Sequence, residues 1–231
     1  MKIALLGYGK MGKTIERIAA ERGHEIVLKV TDAIASQDLS GVDIAIDFSV
    51  PQAAFTNITS CFEKGVPVVS GTTGWLEKYE AAAESCRKHD SGFIYASNFS
   101  LGVNIFFELN KKLAEMMGNF PDYSPSIEEI HHTQKLDAPS GTAITLAQQI
   151  IEKSSKTSWT LEAPKEEELP ITAKRIDTVP GTHMVTYASA IDTINIEHIA
   201  HSRDGFALGA VIAAEWLQHK KGVFSMKDVL F

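Results

Sequence analysis

Residues 2–12, KIALLGYGKMG, decide the fold. KIALLG is an apolar run of strand length, and Met11, Ile15, Ile18 and Ala19 then mark one face of a helix that Gly23 ends. Between them stands Gly7-x-Gly9-x-x-Gly12. In that setting each glycine has a reason. Gly7 permits the tight turn, Gly9 lets the backbone approach a pyrophosphate, and Gly12 allows helix and strand to pack closely. The helix start supplies unpaired N–H groups and the positive end of a dipole for the phosphates. Asp32 follows the next apolar run, EIVLKV, where an acid binds an adenosine ribose 2′-hydroxyl. Strand, turn, helix and acid in this order predict a dinucleotide site rather than a glycine turn that merely joins two elements. A carboxylate at Asp32 repels a 2′-phosphate, and Ala33 offers no guanidinium to hold one. NADH is therefore the expected cofactor, while Lys10 and Lys13 near the turn still admit NADPH.

Outward from this stretch, strands and helices alternate. VDIAIDFS, VPVVSGTTG and GFIYAS read as further strands. PQAAFTNITSCFEKG and WLEKYEAAAESCRKH read as helices, the first with Pro51 near its opening turn and Gly65 past its end. Such alternation predicts a parallel sheet covered on both faces, with right-handed crossovers. SGTTG (70–74) and ASNFSLGVN (96–104) follow strands at their carboxyl ends, where a ligand crevice forms. Their small and hydroxyl residues suit backbone contacts to a nicotinamide ring. Asn98 or Ser100 acting only as a cap for the next helix is the competing reading.

The rhythm then changes. VNIFFELNKKLAEMMG reads as a helix, SIEEIHH as a strand and GTAITLAQQIIEK as a helix. The later segments ITAKRIDTVPGTHMVTYAS and DTINIEHIAHS read as strands joined by turns, APKEEELP as a solvated loop, and GFALGAVIAAEWLQHK as a closing apolar helix. The expected fold is α/β. A Rossmann-type parallel-sheet domain is joined to an α+β domain carrying an open, mixed and mainly antiparallel sheet.

A net charge of −7 argues against a general nucleic-acid binder. No apolar run has the length of a membrane span, and the first residues read straight into a strand, so neither membrane nor leader segment is expected. Cys61 and Cys86 lack metal-ligand spacing and read as thiols in a reducing cytoplasm.

EEIHHTQKLDAPSGTA, residues 128–143, carries the unusual chemistry. Adjacent strand histidines point to opposite faces, so His131 and His132 cannot both chelate one ion unless the strand ends between them; no Cys joins them, a third ligand would have to come from elsewhere, and no metal is expected. Ser140 lies in a turn without the G-x-S-x-G elbow of a nucleophile. A carboxylate pocket fits better. Lys135 and His132 offer cationic or hydrogen-bonding groups, and Ser140, Gly141 and Thr142 open a helix with N–H and hydroxyl donors. Beside a dinucleotide this predicts a small acidic substrate, with His131 or Lys135 supplying a proton next to a hydride transfer. Two other readings are a dehydrogenase for an aldehyde or hydroxy acid, and an NADH-sensing regulator. The His-His-x-x-Lys and Pro-Ser-Gly-Thr pairing opposes the first; the second needs a basic or DNA-binding face, which is absent from the sequence.

This segment closely resembles the E-x-H-H-x-x-K-x-D-A-P-S-G-T-A signature of the dihydrodipicolinate reductase family. GYGKMG, DFSVP, SGTTG, ASNFSLGVN and SRDGFALGAVIAAEWL follow in the family's order, so the resemblance spans nearly the whole chain. It implies reduction of 4-hydroxy-tetrahydrodipicolinate to tetrahydrodipicolinate by NAD(P)H in diaminopimelate and lysine biosynthesis, by a cytoplasmic homotetramer. It implies a dinucleotide domain at 1–101 plus 204–231 and a substrate-binding and oligomerisation domain at 102–203, with hinges near Asn98–Val103 and Ser202–Gly205. Position by position, it assigns Gly7, Tyr8, Gly9, Lys10, Met11, Gly12 and Asp32 to the dinucleotide. Gly71, Thr72, Thr73, Ala96, Ser97, Asn98 and Phe99 fall around the nicotinamide, and Arg203 holds cofactor and domains. His132, Ser140, Gly141 and Thr142 bind substrate, while His131 and Lys135 handle protons. Two departures stand out: the glycine turn is one residue shorter than the family's usual G-x-x-G-x-M-G, and the second domain is short.

Overall fold

The computed structural model describes residues 1–31 and 37–231. Asp32 and Ala33, on which the expected cofactor preference rests, lie outside the described residues. The chain forms two compact units, Met1–Leu101 with Asp204–Phe231, and Gly102–Arg203.

Unit 1 is built on β1 (Lys2–Leu6), β2 (Glu25–Val30), β3 (Ile44–Asp47), β4 (Val68–Ser70), β5 (Gly92–Tyr95) and β11 (Gly222–Phe224). They form one sheet in the order β11-β5-β4-β3-β1-β2, every ladder parallel. Successive side chains face opposite sides, so each apolar strand feeds two cores. Ile3, Leu5, Ile44 and Ile46 pack against Ile15 and Ile18 of α1 (Lys10–Glu21) and against Ala210 and Ala214 of α6 (Asp204–Leu217). Ala4, Leu6 and Ala45 face Ile58 and Phe62 of α2 (Pro51–Glu63) and Ala82 and Cys86 of α3 (Tyr79–Lys88). The sheet order reverses between β1 and β3, which places the crevice of this sheet just beyond Leu6 and Asp47. The short β11 and α7 (Met226–Leu230) were not foreseen, although the Ser225–Asp228 capping box that opens α7 is a sequence signal.

Unit 2 places α4 (Leu101–Met117) and α5 (Gly141–Ile151) on one face of a second sheet. Its strands are β6 (Ser124–His131), β7 (Ser158–Thr160), β8 (Glu168–Arg175), β9 (Gly181–Ala188) and β10 (Thr193–Ala200), in the order β10-β9-β6-β8-β7. β9 pairs antiparallel with β6 and β10, while β8 pairs parallel with β6 and β7. The sheet is therefore mixed. This is the mixed sheet expected of the second domain: α5 and the 152–167 connection return β8 alongside β6 in the same direction. Phe106, Leu146, Ile150, Ile127, Leu169 and Val185 make this unit's core.

Among the described residues, no helix is long and apolar enough to cross a membrane. Cys61 and Cys86 are free and buried, and burial pushes their thiols up to about 12 and about 11.

Candidate active site

In unit 1 the glycine turn does what its spacing requires. Gly7 has φ +91°, and a Cβ there would lie 2.2 Å from the Phe48 carbonyl oxygen. A Cβ on Gly12 would meet the Gly7 carbonyl oxygen at 2.4 Å. Gly9 differs: its φ is −83° and, among the described residues, nothing lies within 4 Å of a Cβ built on it. Among the described residues no side chain caps α1, whose start follows Gly9 directly. An open approach to uncapped helical amides fits a pyrophosphate, and packing gives Gly9 no other reason to be glycine. Tyr8 is pinned beside the turn, its hydroxyl against Glu16 and Lys29 Nζ 4.6 Å above its ring. Lys10 is exposed, whereas Met11 packs into the core.

Gly7, Tyr8 and Gly9 line a groove of about 350 Å³ together with Val30, Thr31, Phe48, Ser49 and Val50. Phe48 is its organising residue, and sequence reading assigned it no role. A Cβ on Gly71 would meet the Phe48 ring at 2.3 Å, and the Phe99 ring centroid lies 5.8 Å from that of Phe48. The loops after β1, β3, β4 and β5 thus share one aromatic contact.

Asp47 is the second residue that went unassigned. It is fully buried and accepts from Ser49 Oγ at 2.6 Å, Thr72 Oγ1 at 2.8 Å, Ser70 Oγ at 2.9 Å and Asn57 Nδ2 at 3.3 Å. Burial raises its carboxyl, while these bonds pull it back down. Thr72 is consequently turned inward, its hydroxyl shared between Asp47 and the Ser49 amide. Thr73 and Ser97 are exposed, Gly71, Ala96 and Asn98 are half-buried, and Phe99 is buried. Asn98 Oδ1 accepts from the Ser100 amide at 2.9 Å, a local turn bond just before α4.

In unit 2, β6 ends at His131, so His132 lies just past the strand and alternation does not set its direction. His131 turns inward with Glu129, which contacts its Nδ1 through Oε2. The other carboxylate oxygen accepts from Arg175 Nη2 at 2.9 Å and from the Ser140 amide at 3.3 Å. Burial alone would raise the Glu129 carboxyl; the bonds from His131 and Arg175 outweigh it and hold it at about 2. His183, on β9 opposite Glu129, stacks edge-on to His131 with ring centroids 5.1 Å apart. Burial first, then the charge of His131, lowers its imidazole to about 3.

His132 is half-buried, in a depression of about 290 Å³ shared with Thr133, Gln134, Asp177 and Arg203. Lys135 turns back through its amide to the His132 carbonyl, and its ammonium pairs with Asp137 at 2.8 Å. Ser140 caps α5 by accepting from the Ala143 amide, and its Oγ lies 3.0 Å from His183 Nε2. Its amide and hydroxyl are thus both engaged inside the unit. Gly141 is exposed with open space at its Cβ position, and Thr142 is half-buried beside it.

Glu129, His131 and His183 are also the residues whose donor atoms, all within 4.8 Å of one another, form a metal-like grouping among the described residues. Both Glu129 oxygens are already engaged, one by a guanidinium, so a second cation there meets a filled shell and like charge. Of the inward set, Glu129 was legible as sharing a face with His131. Arg175 and His183 arrive from β8 and β9, and no local sequence signal marks them.

A parallel sheet with a glycine groove at its switch point, in a chain whose second unit buries a histidine–carboxylate pair, defines a nicotinamide-dinucleotide-dependent oxidoreductase. Residues 1–99 match the family model for the dihydrodipicolinate reductase N-terminus, and residues 102–230 match that for its C-terminus. The chain belongs to the dihydrodipicolinate reductase family. It is 65% identical to a 4-hydroxy-tetrahydrodipicolinate reductase of Christiangramia forsetii, covering 100% of this chain and 98% of that one. It is 35% identical to one of Methanosarcina barkeri, over 96% and 82% of the two chains. In fold it is similar to a dipicolinate-bound dihydrodipicolinate reductase from Paenisporosarcina, with TM-score 0.77 and 22% identity over 97% of each chain.

Proposed function

We propose that the chain reduces 4-hydroxy-tetrahydrodipicolinate to tetrahydrodipicolinate in diaminopimelate and lysine biosynthesis, with NADH the better cofactor and NADPH accepted. The observation that carries this is Gly9, a glycine without a packing reason at an uncapped helix start, in a chain that also carries the His131–Lys135 segment. Loss of the C4 hydroxyl together with a hydrogen of the adjacent ring carbon, as water, leaves a conjugated imine, and bound nicotinamide would supply the hydride that adds to its C4.

The chain's own residues do the rest. Gly7, Gly9 and the first amides of α1, with Tyr8, Lys10, Met11 and Gly12 around them, receive the pyrophosphate. Asp32 takes the ribose hydroxyls, which disfavours a 2′-phosphate. Gly71, Thr72, Thr73 and Ala96 to Phe99 shape the nicotinamide end. Thr72 and Phe99 serve through backbone and packing, since their side chains are buried. His132, Gly141 and Thr142 bind the substrate carboxylates, and Ser140 sets the start of α5 on which two of them stand. A substrate carboxylate competes with Asp137 for the Lys135 ammonium, so binding frees a proton donor where it is needed. His131 or Lys135 then protonates the reduced ring. Arg203, in the depression with His132, links anion binding to the point where the chain returns to unit 1.

We further propose a cytoplasmic homotetramer formed through residues 102–203. Ile191, Ile194 and Ile199, on the edge strand β10 and the turn before it, are 90%, 38% and 51% exposed, which supports an apolar contact there. Light scattering that finds a monomer would refute it.

The activity is tested by NADH oxidation that depends on freshly made condensation product of pyruvate and aspartate semialdehyde. Absence of turnover with both NADH and NADPH would sink the reading. Lys135→Ala should lose most of the rate while NADH binding survives. A strong NADPH preference would remove Asp32 from the role given to it.

A further inference from the structure

The imidazole of His131 and the loop that carries Lys135 are held by one buried bridge. Glu129 is fully buried, and its Oε2 and His131 Nδ1 touch while neither has another partner among the described residues. An ionised carboxylate only accepts, so the ring nitrogen facing it must carry a hydrogen, which leaves Nε2 for other work. Its Oε1 is taken by Arg175 Nη2 at 2.9 Å. The same guanidinium donates through Nη2 to the Asp137 carbonyl at 2.6 Å, through Nε to the Lys135 carbonyl at 3.2 Å, and through Nη1 to the Lys174 carbonyl at 2.8 Å. Strand β6, strand β8 and the 132–140 loop therefore meet on one side chain. The charged and titratable groups around the pair are His183 from β9, His198 from β10, and Lys135 and Asp137 from the loop.

We propose that Glu129 and Arg175 are positioning residues of the reduction: Glu129 fixes the tautomer of His131, and Arg175 ties the Lys135 loop to the same strand. The inference rests on the reductase reading above. A lysine in place of Arg175 lacks the planar fork needed to reach a carboxylate and two carbonyls together. A glutamine in place of Glu129 keeps the shape but has one acceptor oxygen. With Arg175 claiming that oxygen, its NH₂ group faces His131 and demands the opposite tautomer.

The test is Glu129→Gln in the full chain. We expect kcat to fall about 100-fold, with substrate KM changed by less than about threefold and NADH affinity unchanged. Nitrogen-15 NMR of histidine-labelled protein, assigned with His131→Asn, should show Nδ1 of His131 protonated in wild type and unprotonated in the variant. A kcat within about threefold of wild type, or the same tautomer in both, overturns the role of Glu129. Zinc added to wild type that displaces the Nδ1 proton also overturns it, in favour of an ion site. Arg175→Lys is the second variant, informative even where Glu129→Gln does not fold, and should lose about 10-fold in kcat at unchanged NADH affinity. Full activity in Arg175→Lys overturns the loop half. The tautomer measurement needs no substrate, so a wild-type chain without turnover but with the expected tautomer would fail the reductase reading alone.

Discussion

The Thr72 hydroxyl donates to the buried carboxylate of Asp47 at 2.8 Å and in turn accepts from the Ser49 amide at 2.9 Å. This closes the loops after β3 and β4 against each other beneath the groove that Gly7, Gly9 and Phe48 line. The floor of the proposed cofactor site is thus a polar knot around one carboxylate whose partners are three hydroxyls and an amide.

Asp47→Ala should leave Ser49, Asn57, Ser70 and Thr72 without their shared acceptor. Several buried donors lose a partner together, so the expected cost is about 2–4 kcal/mol. Because Phe48 and Gly71 move with those loops, NADH affinity should fall by about tenfold or more. Denaturant unfolding and NADH fluorescence titration check both parts; a variant that is destabilised yet binds NADH normally would show that the knot does not shape the groove.

Gly9 and Gly12 separate cofactor binding from packing. Gly9→Ala adds a methyl to open space, so the thermal midpoint should hold while NADH affinity drops. Gly12→Ala drives a Cβ to within 2.4 Å of the Gly7 carbonyl oxygen, so it should lower stability outright. Equal NADH affinity in Gly9→Ala and wild type would remove the pyrophosphate from this turn.

Acid should weaken unit 2 in two stages. His183 is buried with its imidazole lowered to about 3, against about 6.5 in an unfolded chain. Between those values the unfolded state binds a proton that the folded state does not, so stability falls as pH drops, by at most about 1.4 kcal/mol per pH unit for this group. His198, also lowered by burial, acts in the same direction. Glu129, held at about 2, contributes stability that is intact above its unfolded value near ~4.3 and is lost as pH falls toward 2. The loss between pH 7 and 5 therefore belongs to the histidines. Denaturant midpoints at those two pH values should lie closer together in His183→Gln than in wild type; equal spacing would contradict this origin.

A Cβ on Gly181 would stand 3.0 Å from His131 Nε2. Gly181→Ala should displace the imidazole by a few tenths of an ångström, lowering kcat about tenfold with NADH affinity untouched. Steady-state kinetics at saturating NADH decide it, and unchanged kcat would mean that the ring position there is not critical.

Much of this molecule was legible in the order of its residues. The alternation of KIALL and IAID set which side chains feed each core of the parallel sheet. The pair Glu129 and His131, on one face of a strand, was equally readable. The direction of β8 was not, since a strand's pairing partner depends on which path the intervening chain takes. Ser140 shows the same limit: its place at a helix start was plain, but its hydroxyl turned inward to His183, which enters from a strand more than forty residues later.

What the sequence by itself determined is whatever depends on neighbours along the chain: strand, turn and helix around Gly7, Gly9 and Gly12, and the alternation that puts Glu129 and His131 on one face of β6. Only the tertiary structure decided that Phe48 and Asp47 organise the groove, and that Arg175 joins Glu129 to the Lys135 loop. Burial is the reason. A carboxylate or guanidinium removed from water must find partners wherever the fold brings them, and those partners come from other strands.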